Sequence, residues 1–342
     1  MLRLFFLSTF ICFCSLALLA QSCDCGAAFS FIREKTEKNY AGFSQKVTAL
    51  TRDEYDLHTA QIGLKCDTLS DENSCFSLCR TWLSWFKDRH LILIPDTTDH
   101  YRRPDSDFSL RQLDTQTLLF VLPSMSIRNY KAVQEQIRKN QDLLERMPYL
   151  IIDCRGNAGG HSATWFPLKK YLQTQATLMD GSLTWASEDN AQYLLKSSNG
   201  APKDYRKRIK AYAKKMKKHP GQFVGSMNAV REQYGPPTPY PNKVVILTNK
   251  GCGSVCEVFT LWAKQSKKVT VMGEQTAGVV DYMALFRAIV PCKDWVFLYP
   301  MARSNRVADG RALDNIGIPP DIRLDEKTPD WIAFAQQWMK EH

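Results

Sequence analysis

Ser254 stands in the stretch "NKGCGSVCEVF" (249–259), between two glycines and two cysteines, with Glu257 three residues further on. The preceding "YPNKVVILTN" is β-branched and ends in turn residues. The following "CEVFTLWAKQS" has apolar residues at helical spacing, so the serine falls at a strand-to-helix corner. Two roles fit that corner. A hydroxyl backed by the amides of a helix N-terminus suits a nucleophile and its oxyanion. Ser254 with Glu257 also spells a capping box, a purely structural duty.

A second stretch, "IIDCRGNAGGHS" (151–162), brings Asp153 and Arg155 to the end of an apolar strand and then turns through Gly156, Asn157, Gly159 and Gly160. Unhindered amides there suit an anion. The Gly-Lys-Ser/Thr ending of a phosphate loop is absent, as is the dinucleotide glycine pattern. A plain tight turn is one reading. Half of an oxyanion hole, with the Val255 amide as the other half, is another. A serine nucleophile needs a base, and the histidines are His58, His90, His100, His161, His219 and His342. His90 ends "LSWFKDRH" just before the strand "LILI", an element boundary able to face a cleft, and His161 after the glycine turn is the runner-up.

The elements that must hold these groups alternate in type. Residues 24 to about 88 show three-to-four spacing of apolar and aromatic residues, as in "CFSLCRTWLSWFKDRH", and predict a small helical N-terminal domain. From "HLILI" onward, short apolar strands ("TLLFVLP", "YLIIDC", "KVVILT", "VTVMGE") alternate with helical stretches, which predicts an α/β layer with partly parallel pairing. "LFRAIVP" and "WVFLYP" read as two antiparallel strands. The resulting division is a signal peptide at 1–20, a helical domain at 21–90, an α/β core at 91–330 with a basic, partly helical insertion at about 181–240, and a C-terminal helix at 331–342.

The first twenty residues carry one positive charge, Arg3, an apolar run of about 16 residues and small residues near Ala20, the pattern of a secretory signal and too short for a spanning helix. Cleavage after Ser22 would instead expose Cys23 to lipid attachment. Nine of the eleven cysteines lie beyond residue 20, and an odd count leaves at least one unpaired in an oxidising compartment. Their spacing does not make a zinc knuckle, and no metal or other cofactor is expected. The charge is +10, and the stretch 203–218 alone holds nine Lys or Arg residues. Tyr205, Ile209, Tyr212 and Met216 fall at helical spacing within it, so it reads as an amphipathic helix with a solvated basic face and a candidate contact for anionic surfaces. No nucleic-acid fold signature is present.

Four segments taken in order, "WFKDRHLIL", "IIDCRGNAGG", "VVILTNKGCGSVCEVFTLWAKQSKKVTVMGEQTAG" and "DGRALDNIGIPPDI", resemble the tail-specific, or C-terminal-processing, serine peptidases. Their superfamily includes the tricorn core and the repeats of interphotoreceptor retinoid-binding protein. The resemblance covers roughly residues 80 to 325. It implies an α/β core of crotonase and Clp-protease type, mixed sheet with helices, and metal-independent cleavage of peptides or unfolded proteins; the signal sequence sets the expected location in a periplasmic or extracellular space. By position it implies Ser254 as nucleophile and Gly159 or Gly160 with Val255 as oxyanion hole. Many relatives carry a lysine in a "GEPTFGKG"-like stretch where this chain has Val279, so the base implied is His90, oriented by Asp314, with Asp281 in reserve. Only some 25 residues separate "HLILI" from "TLLFVLP", which leaves no room for a PDZ domain and points to the PDZ-less secreted bacterial type. The retinoid-binding relatives supply the alternative, a noncatalytic ligand- or peptide-binding protein on the same fold. The resemblance sets no oligomeric state.

Overall fold

The structure, a computed structural model, describes residues 23–95, 108–292 and 294–342. The expected signal peptide and His100 lie outside the described residues. A six-stranded sheet runs Ile322–Arg323, Val269–Gly273, Lys243–Thr248, Tyr149–Asp153, Thr117–Val121, Ser109–Gln112; its neighbours pair in parallel except the last, which is antiparallel. The central strands are apolar on both faces, as a sheet covered on both sides requires. Phe120, Ile152, Ile246 and Val271 lie in register and pack with Trp165, Phe259 and Trp262. On the opposite face Leu119, Ile151, Val245 and Met272 pack with Ala335 and Met339 of the C-terminal helix Trp331–Glu341. This is the α/β core that the alternating pattern predicts.

A second sheet is antiparallel, in the order Ile92–Pro95, Trp295–Ser304, Ser182–Trp185, Phe223–Met227, with Tyr282–Ile289 also paired to Trp295–Ser304. The two strands expected to be antiparallel are this hairpin. The stretch 181–240 shows no continuous apolar pattern, yet it supplies two strands of the sheet: Ser182 and Thr184 are the alternate buried residues of the first, and Val224 of the second packs with Ala186 and Ala191. It also supplies the basic helix Lys203–Lys218, whose Ala213 and Met216 are buried against Val224.

The N-terminal helices Cys25–Asn39, Arg52–Cys66 and Glu72–Ser84 share one core with this second sheet. Phe29, Ile32, Tyr40, Trp82 and Phe86 meet Tyr282, Trp295, Phe297 and Tyr299. Trp82 is edge-on to Phe29 at 5.4 Å and to Phe86 at 5.2 Å. Rings this deeply buried each hold about 3–5 kcal/mol against truncation to alanine. Two disulfides tie the same region, Cys23–Cys292 and Cys25–Cys75, with Cα separations of 4.7 and 5.7 Å. Cys66, Cys79, Cys154, Cys252 and Cys256 are buried thiols.

Candidate active site

Strands Tyr149–Asp153 and Lys243–Thr248 are parallel neighbours, so the loops that follow them emerge together at the carboxyl end of the sheet. The Asn249 side chain ties the two loops, its Oδ1 accepting from Gly156 N at 2.9 Å and Gly251 N at 3.0 Å. Gly253 N donates to Asn157 O at 3.0 Å. The serine corner and the glycine turn are therefore one unit.

Ser254 caps the helix Val255–Ala263 with φ 54° and ψ −121°, a backbone state that costs a non-glycine residue about 1–3 kcal/mol. The fully buried Glu257 carboxylate holds it there. It accepts from Ser254 N (3.0 Å), Thr276 Oγ1 (2.6 Å), Gly278 N (2.8 Å) and Val279 N (2.9 Å). The capping box is thus one arm of a larger brace, and the other donors come from the stretch in which relatives carry lysine. Here Val279 contributes its amide to Glu257 and its side chain to the wall: a Cβ on Gly253 would sit 2.9 Å from Val279 Cγ2.

The glycine turn lies flush on this corner. A Cβ on Gly159, at φ 96°, would fall 2.7 Å from both Gly253 O and Val255 N, so no side chain fits. Gly159 N donates to Asn157 Oδ1 at 2.9 Å, while its carbonyl accepts from Met125 N at 3.1 Å. The amides of Gly160 and Val255 donate to no protein acceptor among the described residues. Beside Ser254 opens a cavity of about 400 Å³, floored by Phe166, Val258 and Trp262 and walled by Tyr282, with Arg306 and Arg311 at one side. Asp180 pairs with both arginines, at 3.2 and 2.9 Å, and Arg311 also pairs with Asp309 at 2.8 Å.

His90 lies in the turn before strand Ile92–Pro95, and its Nδ1 is buried without a hydrogen-bond partner. Among the described residues no hydrogen bond joins the Ser254 hydroxyl to His90. Tyr282, which lines the cavity beside Ser254, is linked to the His90 backbone through Tyr40 and Asp88. Tyr282 packs on Tyr40 at 5.8 Å, the Tyr40 hydroxyl donates to Asp88 Oδ2 at 2.6 Å, and Asp88 Oδ1 accepts from His90 N at 2.8 Å. His161, in contrast, is exposed and occupied as a local cap, its Nδ1 accepting from Ala163 N at 3.2 Å.

Asp314 and Asp281 are brought together. Asp281 Oδ2 accepts from the amides of Leu313 and Asp314, the latter at 2.7 Å, and Asp314 Oδ1 accepts from Asp281 N at 3.3 Å. Asp281 Oδ1 is buried without a donor. Burial first, then the neighbouring Asp88 and Asp281 carboxylates, push the Asp314 carboxyl up to about 8 against a partial offset from Lys46. Tyr40 and Asp88 belong to no motif that marks them as part of the site. The Asp-x-His spacing of an aspartate turn is the only local trace of the pair.

A family model for peptidase family S41 matches residues 117–324, well over half of the chain. The chain belongs to peptidase family S41. Membership makes it a peptidase, and its substrates peptides or proteins. Among solved structures, this S41 peptidase is similar to mature CPAF at 11% identity, covering 88% of this chain and 92% of that one with a TM-score of 0.61. A lipoprotein from Streptococcus agalactiae is 14% identical, with 99% of each chain covered and a TM-score of 0.56. At these identities the likeness is one of fold. No protein of curated function matches the sequence. Among the described residues no helix is long and apolar enough to cross a membrane.

Proposed function

We propose that this S41 peptidase is an exported, metal-independent serine peptidase. Ser254 attacks the substrate carbonyl, His90 takes its proton and later hands it to the leaving amine, and water releases the acyl group. Asp314 in its ionised form orients and stabilises the imidazolium, with Asp281 fixing the loop that carries it. The amides of Gly160 and Val255 receive the oxyanion, and Gly159 clears the space between them. The observation that carries the reading is the serine itself: a non-glycine residue held at φ 54° by a four-donor carboxylate, beside two unclaimed amides and a cavity. Backbone strain maintained at this cost is common where a side chain does chemistry. The unmade bond between Ser254 and His90 is a frequent condition of substrate-free sites, which tighten on binding.

A fluorophosphonate probe tests the nucleophile. Stoichiometric labelling that vanishes in Ser254→Ala is expected, together with loss of turnover on an unfolded protein substrate and no change on adding EDTA. A folded wild-type protein that takes up no label would leave the ligand-binding role of the fold as the better account. The two disulfides support export to an oxidising compartment. The basic helix Lys203–Lys218 supports an anionic contact, since of its nine Lys and Arg residues only Lys217 has a carboxylate partner among the described residues, Glu188. Salt-sensitive binding to anionic vesicles, lost on reversing four of these charges, is the outcome expected of that contact; unchanged binding rejects it.

A further inference from the structure

The backbone that carries His90 is pinned, while no hydrogen bond fixes its ring among the described residues. Asp88 Oδ1 accepts from His90 N at 2.8 Å, Leu91 N donates to Asp88 O at 3.1 Å, and Asn315 Nδ2 donates to Lys87 O at 2.8 Å. The remaining pin comes from far away in sequence: the Tyr40 hydroxyl donates to Asp88 Oδ2 at 2.6 Å. Both partners are buried, Tyr40 at 1% and Asp88 at 7% exposure, so water does not compete for the bond. Tyr40 itself is packed on several sides. Its ring is edge-on to Phe86 at 5.9 Å and tilted against Tyr282 at 5.8 Å, and the next residue's amide, that of Ala41, donates to Pro300 O at 3.0 Å.

We infer that Asp88, locked by the Tyr40 hydroxyl, is a positioning residue for His90, so that the N-terminal helical segment supplies a working part of the active site. The inference rests on His90 being the base. Asp88 is a fork: one carboxylate oxygen holds the His90 amide, the other is held by the Tyr40 hydroxyl at the end of the first helix. Removing the tyrosine hydroxyl leaves a buried Asp88 oxygen without a donor, in a neighbourhood that already contains Asp281 and Asp314. Repulsion then rotates the Asp88 carboxylate and carries the His90 amide with it. The other charged or titratable groups facing this cluster are Tyr282, Lys46 and, beyond Tyr282, Arg303.

Tyr40→Phe keeps the ring packing and deletes only the bond. Assayed on an unfolded, fluorescently labelled protein, it is expected to lower kcat by about 10–100-fold, the scale of a misplacement near 1 Å, with KM within about threefold of wild type. In a His90→Ala background the same change should leave the residual turnover unaltered, because the pair acts only through that residue. Asp88→Asn, the second variant should Tyr40→Phe not fold, is expected to lower kcat similarly and to move the alkaline rise of the pH–rate profile toward lower pH, since a negative neighbour of Asp314 is gone. A folded Tyr40→Phe protein with wild-type kcat overturns the inference, as does an equal loss in the presence and absence of His90. Full turnover by His90→Ala alone would instead reject the base assignment on which the inference stands.

Discussion

Replacing Asp314 by asparagine should make the protein more stable at alkaline pH while removing most of its activity. In the fold the Asp314 carboxyl titrates near 8, chiefly because it is largely buried and also because Asp88 and Asp281 lie close. In the unfolded chain it titrates at about 4. Below that lower value both states hold the proton and the group contributes nothing to the difference. As pH rises between the two values, the native state keeps a proton that the unfolded state has lost, so stability falls throughout this interval and levels off once the folded group ionises. From pH 5 to pH 9 the loss comes to about 4 kcal/mol, or about half that after allowing for solvent at the partly exposed side chain. Asparagine cannot ionise and can still accept from the Asp281 amide. Thermal unfolding of wild type and Asp314→Asn should therefore nearly coincide at pH 5 and separate by a few degrees at pH 9, with the variant higher. Wild-type turnover should climb with pH toward about 8, as the orienting carboxylate forms, and the variant should lack that climb. Equal displacement of the two melting curves at both pH values would refute the reasoning, because it would show that the carboxyl carries no excess proton.

Ser254→Gly should relieve the left-handed backbone at the corner and raise stability by about 1 kcal/mol while abolishing turnover; a destabilised glycine variant would mean that φ 54° is not strained there. Glu257→Gln turns an amide toward donors that now converge on a carboxylate, so a loss of about 2–4 kcal/mol in denaturant unfolding and a collapse of fluorophosphonate labelling are expected. Lys169, 1% exposed, meets Glu232 and lies over the Phe166 and Tyr234 rings at 4.1 and 4.3 Å; Lys169→Ala should leave that partly exposed carboxylate with the Tyr234 hydroxyl as donor and destabilise by about 1–3 kcal/mol, which chemical denaturation would register.

What the sequence discloses and what it withholds separate along a physical line. The central parallel strands are continuous apolar runs, and those ending at Asp153 and Thr248 lead into glycine-bearing turns, so their type and the corner at Ser254 can be read locally. Family membership follows from the same runs. Groups that act across long loops leave little trace. Three of the four donors to Glu257 lie 19 to 22 residues beyond it, and nothing in "TAGVV" marks them as a brace. Tyr40 and Asp88 are 48 residues apart. The strands Ser182–Trp185 and Phe223–Met227 are short and lie in a polar stretch, and they enter the sheet only through pairing with Trp295–Ser304, far along the chain. The proton carried by Asp314 depends first on burial and then on the Asp88 and Asp281 carboxylates from other parts of the chain, a combination that no single motif encodes.

The bond between Cys23 and Cys292 has a bearing on how the molecule is dispatched. Acylation by a lipoprotein pathway would consume the very sulfur that here rivets the first helix to the turn of the hairpin whose Tyr282 and Met283 border the cavity. Tethering and stapling are therefore rival fates of one atom: a greasy N-terminus would leave Cys292 a bare thiol, whereas a clipped, lipid-free chain can close the rivet and leave the envelope.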